Sequence, residues 1–138
     1  MLANVSEITF PFLGDGRGKL VVLEELAEFV PFEIKRVFYI FDTLPGTVRG
    51  KHAHHRNRQV LVCVSGACTI ECMFPDGHCA EYRLDWPNKG LLIEGMVWHN
   101  MKEFSKDAVL LVLASEHYDE SDYVRNFEDF KRICAEVK

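Results

Sequence analysis

Residues 46–66 read "GTVRGKHAHHRNRQVLVCVSG", and the spacing inside this stretch decides the fold. His52 and His54 stand two apart, with His55 directly after. In an extended segment residues two apart face the same way, so His52 and His54 project together and His55 points to the other side. Two imidazoles on one face can bind a metal ion, can move protons near neutral pH, or can simply end a solvated polar strand. Behind them "QVLVCVSG" is an apolar, β-branched run closed by Gly66, which reads as a buried strand and a turn.

The pattern outside this stretch is similar. "IKRVFYIF" is apolar on both alternating faces and reads as a strand covered on both sides. "CTIECMF" and "HCAEYRLD" flank the hairpin signal "PDG" at 75–77, and the second alternates with Ala80, Tyr82 and Leu84 on one face. "KLVVLEEL", "LLIEG", "MVWHNM" and "AVLLVLAS" complete a set of short runs broken by turns such as "GDGRG", "TLPGT" and "WPNKG". Short strands with frequent turns predict an all-β barrel or sandwich. Only the end differs: from about Ser121, Tyr123, Phe127, Phe130 and Cys134 recur at helical spacing and predict one amphipathic helix.

Composition agrees with one globular unit. The 138 residues suit a single domain over 1–138, and 48% are hydrophobic, which excludes a disordered chain. A chain of this size hides roughly 68–70% of its unfolded surface. The net charge of −5 argues against a general nucleic-acid binder, which needs a basic stripe. No apolar run reaches the roughly 18 residues of a membrane span, and the start lacks a signal peptide's basic and apolar regions, so a cytoplasmic location is expected. Five cysteines (Cys63, Cys68, Cys72, Cys79, Cys134) without a CxxC read as small buried residues rather than a zinc site.

Taken together, Gly46, His52, His54, Gln59 and Gly66 reproduce the spacing of the first signature of the cupin superfamily, G-x5-H-x-H-x3–4-E-x6-G, with Gln59 in place of its glutamate. The second cupin motif is only partly echoed: Gly95 precedes His99, but its proline is absent. Metal cupins use three histidines and a carboxylate. Here that set would be His52, His54, His99 and Gln59, and a neutral amide is a weak ligand for a divalent cation. Three histidines alone can hold zinc, so the residues leave both metal and acid/base readings open.

A closer resemblance covers nearly the whole chain. "RVFYIFDT", "RGKHAHHRNRQVLVCVSGACTI" and "MVWHNMKEFSKDAVLLVLASEHYDESDYVRNFEDF" resemble the WxcM-like nucleotide-sugar 3,4-ketoisomerases. The resemblance implies an RmlC-like antiparallel cupin barrel or jelly roll with a short C-terminal helix. It implies a homodimer with exchanged N-terminal strands, no metal and no organic cofactor. The implied substrate is TDP-4-keto-6-deoxy-D-glucose, whose ketone moves from C4 to C3 on the way to 3-amino-3,6-dideoxy sugars of bacterial surface glycans, lipopolysaccharide O-antigen among them. It implies His52 and His54 as the catalytic pair, with His52 favoured as the base at carbon and His54 as the proton shuttle. Tyr39, Arg49, His99, Arg17 and Gln59 are the implied substrate-binding residues.

The chemistry makes its own demands. Moving a ketone to the next carbon requires a base at C3–H, a carrier of protons between oxygens, and donors for the enediolate. Two imidazoles and a permanent cation such as Arg49 meet them. The pyrophosphate needs local positive charge, for which Arg49, Lys51, Arg56, Arg58 and Arg17 are the candidates. Three other readings stay open: a cupin sugar 3,5-epimerase, a non-catalytic sugar-binding cupin and a metal-dependent cupin oxygenase.

Overall fold

In the computed structural model, which describes residues 2–136, antiparallel strands dominate. In chain order they are β1 (Asn4–Thr9), β2 (Leu13–Asp15), β3 (Gly18–Leu20), β4 (Arg36–Ile40), β5 (Arg49–His54) and β6 (Gln59–Ser65). They continue with β7 (Cys68–Met73), β8 (Cys79–Leu84), β9 (Lys89–Glu94), β10 (Trp98–Lys102), β11 (Val109–Ala114) and β12 (Tyr123–Val124). A helix, α1 (Phe127–Glu136), ends the described chain. Two five-stranded sheets, β1–β9–β6–β11–β4 and β12–β5–β10–β7–β8, lie face to face as a jelly roll, and β2 and β3 form a separate hairpin.

The sequence pattern explains the layers. Leu61 and Cys63 of β6, with Leu110 and Val112 of β11, meet Cys68, Ile70 and Cys72 of β7 between the sheets. Val60 and Val62 face the opposite way and are equally buried, because Phe10, Val30 and Phe32 cover the outer face of the first sheet. That cover explains why β6 is apolar at successive positions instead of alternating. It also accounts for "KLVVLEEL": beyond Leu20 the chain leaves the β2–β3 hairpin, and Val21 and Leu23 join the outer cluster from irregular backbone. Between β6 and β7 the chain turns at Gly66 (φ +65°), where an added Cβ would lie 2.8 Å from the Ala108 nitrogen.

Two expectations are corrected. β4 is an edge strand with one open face: Phe38 and Ile40 pack inward, while Val37 and Tyr39 are 54% and 60% exposed. The helix starts later than Ser121. Asp119 caps a single 3₁₀ turn over Glu120–Asp122, and Tyr123 and Val124 then pair with His54 and Ala53 as β12. The helix begins at Phe127, where the Asn126 side chain accepts the Asp129 N–H at 3.1 Å. Phe130 and Cys134 pack beneath Trp98, as the periodicity predicts, but Tyr123 is turned to other use.

Candidate active site

β5 and β10 lie side by side, and their pairing is irregular where it matters. His52 pairs with His99 and Gly50 with Asn100, so Lys51 has no partner across the ladder. This is a β-bulge, with Gly50 at φ +84° and Lys51 at φ +59°. In an unbroken strand Arg49, three residues from His52, would face the opposite side. The bulge shifts the phase by one, and Arg49, Gly50 and His52 line the same cavity of about 320 Å³. Gln59 and Leu61 from β6, Met101 from β10, Tyr123 from β12 and Arg125 complete its polar and apolar walls.

His52 lines it, and two buried imidazoles, His54 and His99, pack against the His52 ring. The His52 ring lies 4.9 Å from His54 and 4.8 Å from His99, centroid to centroid, and His54 and His99 are only 3% and 1% exposed. His52 Nδ1 is 3.0 Å from the Gly50 carbonyl, and His99 Nδ1 is 3.2 Å from that of Val97. Each carbonyl needs a donor, which assigns the ring proton to Nδ1 and leaves Nε2 with a free lone pair. Burial, reinforced by neighbouring rings, holds His52 down to about 3 and His54 to about 2; burial alone holds His99 to about 4. All three are neutral at physiological pH, and the buried His99 Nε2 and both His54 ring nitrogens have no closed hydrogen bond. In a neutral ring one nitrogen donates and the other accepts, so His99 Nε2 and one nitrogen of His54 are acceptors without a partner.

The "YDESDYVR" segment builds a wall for which the sequence assigned no roles. Tyr123 packs its ring 4.4 Å from that of His54 and 5.1 Å from that of His52. The Arg125 guanidinium lies 4.2 Å over the other side of the tyrosine. Glu120 grips that guanidinium twice, accepting Nε at 2.5 Å and Nη2 at 2.9 Å, and also accepts the Tyr118 hydroxyl at 2.7 Å. These bonds hold the Glu120 carboxyl down at about 2. Two of Arg125's five donors are used, so three remain for a ligand. The sequence marked this segment through the family resemblance it carries, but not through any spacing that gave its residues roles.

The other candidates are placed as follows. Gln59, 4% exposed, is in the cavity beside the histidines, where it offers an amide. Tyr39 touches the cavity from β4, on the strand face opposite Phe38 and Ile40, with its ring 6.0 Å from Phe41. Arg17 lies on the β2–β3 hairpin, 92% exposed, and pairs with Asp15 at 2.8 Å. Of the candidate cations, Arg49 alone lines the cavity. Arg56 pairs with Asp119, Arg58 lies over Phe32, and Lys51 is exposed. His55 is exposed and borders a different groove with Phe74 and His78.

Among the described residues the three histidines are the group that could hold a metal ion, with one nitrogen of each within 4.8 Å of the others. A tetrahedral ion with Zn–N near 2.0–2.1 Å brings its donors to about 3.3 Å apart. The 4.8 Å span is an outer bound that a small ring movement could close, but the neighbouring cavity residue is the neutral Gln59 rather than a carboxylate. The donor set fits acid/base work better than a closed metal site.

A jelly roll with paired histidines on one strand and a third on the next is a cupin barrel, here of the RmlC-like kind. An rmlC epimerase from Mycobacterium tuberculosis superposes with a TM-score of 0.70 at 17% identity, over 89% of this chain and 72% of that one, a likeness of fold alone. The family described as "FdtA: WxcM-like, C-terminal" matches residues 3–135, and the chain belongs to it. It is similar to the TDP-4-oxo-6-deoxy-alpha-D-glucose-3,4-oxoisomerase of Aneurinibacillus thermoaerophilus, 47% identical over 94% of this chain and 92% of that protein. A 3,4-ketoisomerase from Helicobacter canadensis superposes with a TM-score of 0.90 at 41% identity, over 96% of this chain and 98% of that one. A sugar 3,4-ketoisomerase from Thermoanaerobacterium thermosaccharolyticum, solved in complex with TDP, gives 0.92 at 39%, over 99% and 98%.

Proposed function

We propose that this chain is a sugar 3,4-ketoisomerase that converts TDP-4-keto-6-deoxy-D-glucose into a TDP-3-keto-6-deoxyhexose. The observation that carries the reading is the convergence of three neutral imidazoles, of which His52 lines a cavity shared with Arg49 and Arg125 and His54 and His99 lie buried against it. The Aneurinibacillus relative, named for this reaction, and the TDP-bound neighbour support the choice of substrate.

His52, in the wall of the cavity, takes the proton from C3, and the electron pair moves to give an enediolate across C3 and C4. His54 carries the hydroxyl proton from the oxygen on C3 to the oxygen on C4. Return of a proton from His52 to C4 leaves the ketone at C3, so atoms and charge balance without a redox partner. Arg49 supplies the permanent cation that the enediolate oxygen needs. Neutral imidazoles at the operating pH are the form a base requires. The amide of Gln59, where a metal site would want a carboxylate, supports metal-free acid/base catalysis, in which chelator treatment leaves turnover unchanged. We place the enzyme in the cytoplasm as a homodimer with exchanged N-terminal strands. Its product there enters synthesis of 3-amino-3,6-dideoxy sugars of surface glycans.

The deciding experiment is NMR of the product formed from TDP-4-keto-6-deoxyglucose. A 3-keto sugar is expected; a 4-keto sugar inverted at C3 or C5 would overturn the reading. His52→Asn should bind the substrate within a few-fold of the parent and lose turnover by roughly 10²–10⁴-fold, as for removal of a general base. Binding without any parent turnover would identify a sugar-binding cupin instead.

A further inference from the structure

We propose that Asp122 is a positioning residue for His54: its buried carboxylate fixes which ring nitrogen of His54 carries the proton, and so leaves Nε2 free to accept one. The inference rests on the ketoisomerase reading, in which His54 moves protons.

Asp122 is 2% exposed, and a carboxylate in that setting must be fully partnered. Its Oδ1 accepts the backbone N–H of Arg56 at 2.7 Å, and its Oδ2 accepts that of Asn57 at 3.1 Å. The Arg56 guanidinium stands 3.9 Å away. These bonds tie the carboxylate to the turn between β5 and β6, so it cannot rotate. Oδ2 then faces His54 Nδ1 at 3.3 Å, with both side chains 3% exposed.

The two atoms are within reach of each other but not aligned as a hydrogen bond, so the carboxylate acts on the ring chiefly through its charge, and His54 Nδ1 has no other partner. A neutral imidazole carries one N–H and one lone pair. Were the lone pair on Nδ1, it would confront a fixed carboxylate oxygen across a buried gap, acceptor against acceptor. Placing the proton on Nδ1 turns that repulsion into attraction. The free lone pair then sits on Nε2, as in His52 and His99, whose Nδ1 atoms meet backbone carbonyls. The three rings thus share one tautomer, and His54 alone takes it from a side chain.

The alternative is that Asp122 only fastens the turn. Long-range ¹⁵N–¹H correlation spectra of the histidine-labelled wild type separate the two without substrate. His54 protonated at Nδ1 is expected; protonation at Nε2 overturns the proposal. In D122N the remaining oxygen is claimed by the Arg56 N–H, which leaves the new NH₂ facing His54 and reverses its tautomer. Turnover then falls on the order of 10²-fold or more while KM stays within about threefold, as for an imidazole held in the wrong tautomer. A folded D122N with the parent's tautomer and kcat overturns the proposal. If D122N does not fold, the wild-type spectrum decides by itself. A wild type inactive on TDP-4-keto-6-deoxyglucose overturns the ketoisomerase reading, and the tautomer still decides the role of Asp122.

Discussion

Lowering the pH from 7.5 to 5.5 should cost this fold a large part of its stability, through the three clustered histidines of the site. In the unfolded chain each imidazole titrates near 6.5. In the fold, burial holds His52 to about 3, His54 to about 2 and His99 to about 4. The unfolded chain therefore takes up protons on acidification that the native cavity refuses. Stability is fully present above pH 6.5, falls as the pH drops through that value, and continues to fall until the native rings titrate at 4 and below. At pH 5.5, one unit below the unfolded value, each ring contributes a loss of about 1.4 kcal/mol, or about 4 kcal/mol for the three. Typical domains hold only about 5–15 kcal/mol in all. Carboxylates stay ionised in both states across this window, so the histidines dominate the change.

Urea unfolding followed by tryptophan fluorescence reads the effect, since Trp98 is packed against Phe127 and Phe130 and is released on unfolding. Protein concentration and ionic strength are held fixed, so that any self-association does not enter the comparison. His54→Gln removes one buried imidazole and should remove about a third of the pH dependence, whatever it does to stability at pH 7.5. A wild type whose unfolding free energy changes by less than about 1 kcal/mol over this window would refute the neutral, proton-refusing cavity. So would a His54→Gln protein that keeps the full dependence.

Two further outcomes test the frame of the site. Gly50→Ala places a Cβ 2.9 Å from the His99 carbonyl oxygen at a residue with φ +84°. It should cost about 1–3 kcal/mol in urea unfolding and lower turnover by displacing β10; unchanged stability would mean that the bulge is not strained against its neighbour. Arg125→Lys keeps the charge but loses the twofold grip of Glu120 and the planar contact with Tyr123. KM for the nucleotide sugar should rise roughly tenfold with kcat within a few-fold, and an unchanged KM would remove Arg125 from the binding surface.

Much of this was legible in the sequence because the relevant rules are local. Alternation, turn residues and the spacing from Gly46 to Gly66 predict strands, and the histidine pair needs only the two-residue period of a strand. The two corrections have local causes as well. An apolar edge strand such as Arg36–Ile40 reads the same as a covered one, since nothing in its residues says whether another layer lies outside. The expected start of the helix failed because Asp119, Asp122 and Tyr123 answer to partners elsewhere. Asp122 binds the amides of Arg56 and Asn57, and Tyr123 pairs with His54, more than sixty positions away. Contacts of that range leave no periodic trace, which is also why the Tyr123–Arg125–Glu120 wall was not foreseen.

The unpaired Lys51 has a consequence for comparing sequences. A strand that alternates strictly can offer a ligand only every second residue, so half of its length is closed to function. One inserted residue lets positions of both parities reach the same ligand, and here it adds a cation to a histidine pair. A chain of the same length whose strand paired regularly through Gly50 and Lys51 would keep the imidazoles, yet turn its arginine, three residues away, to the outside. The residues between arginine and histidine therefore carry chemical meaning in comparison: at a spacing of three, a barrel needs a backbone that can bulge there, as Gly50 and Lys51 do at positive φ, to set a fixed positive charge beside its histidines.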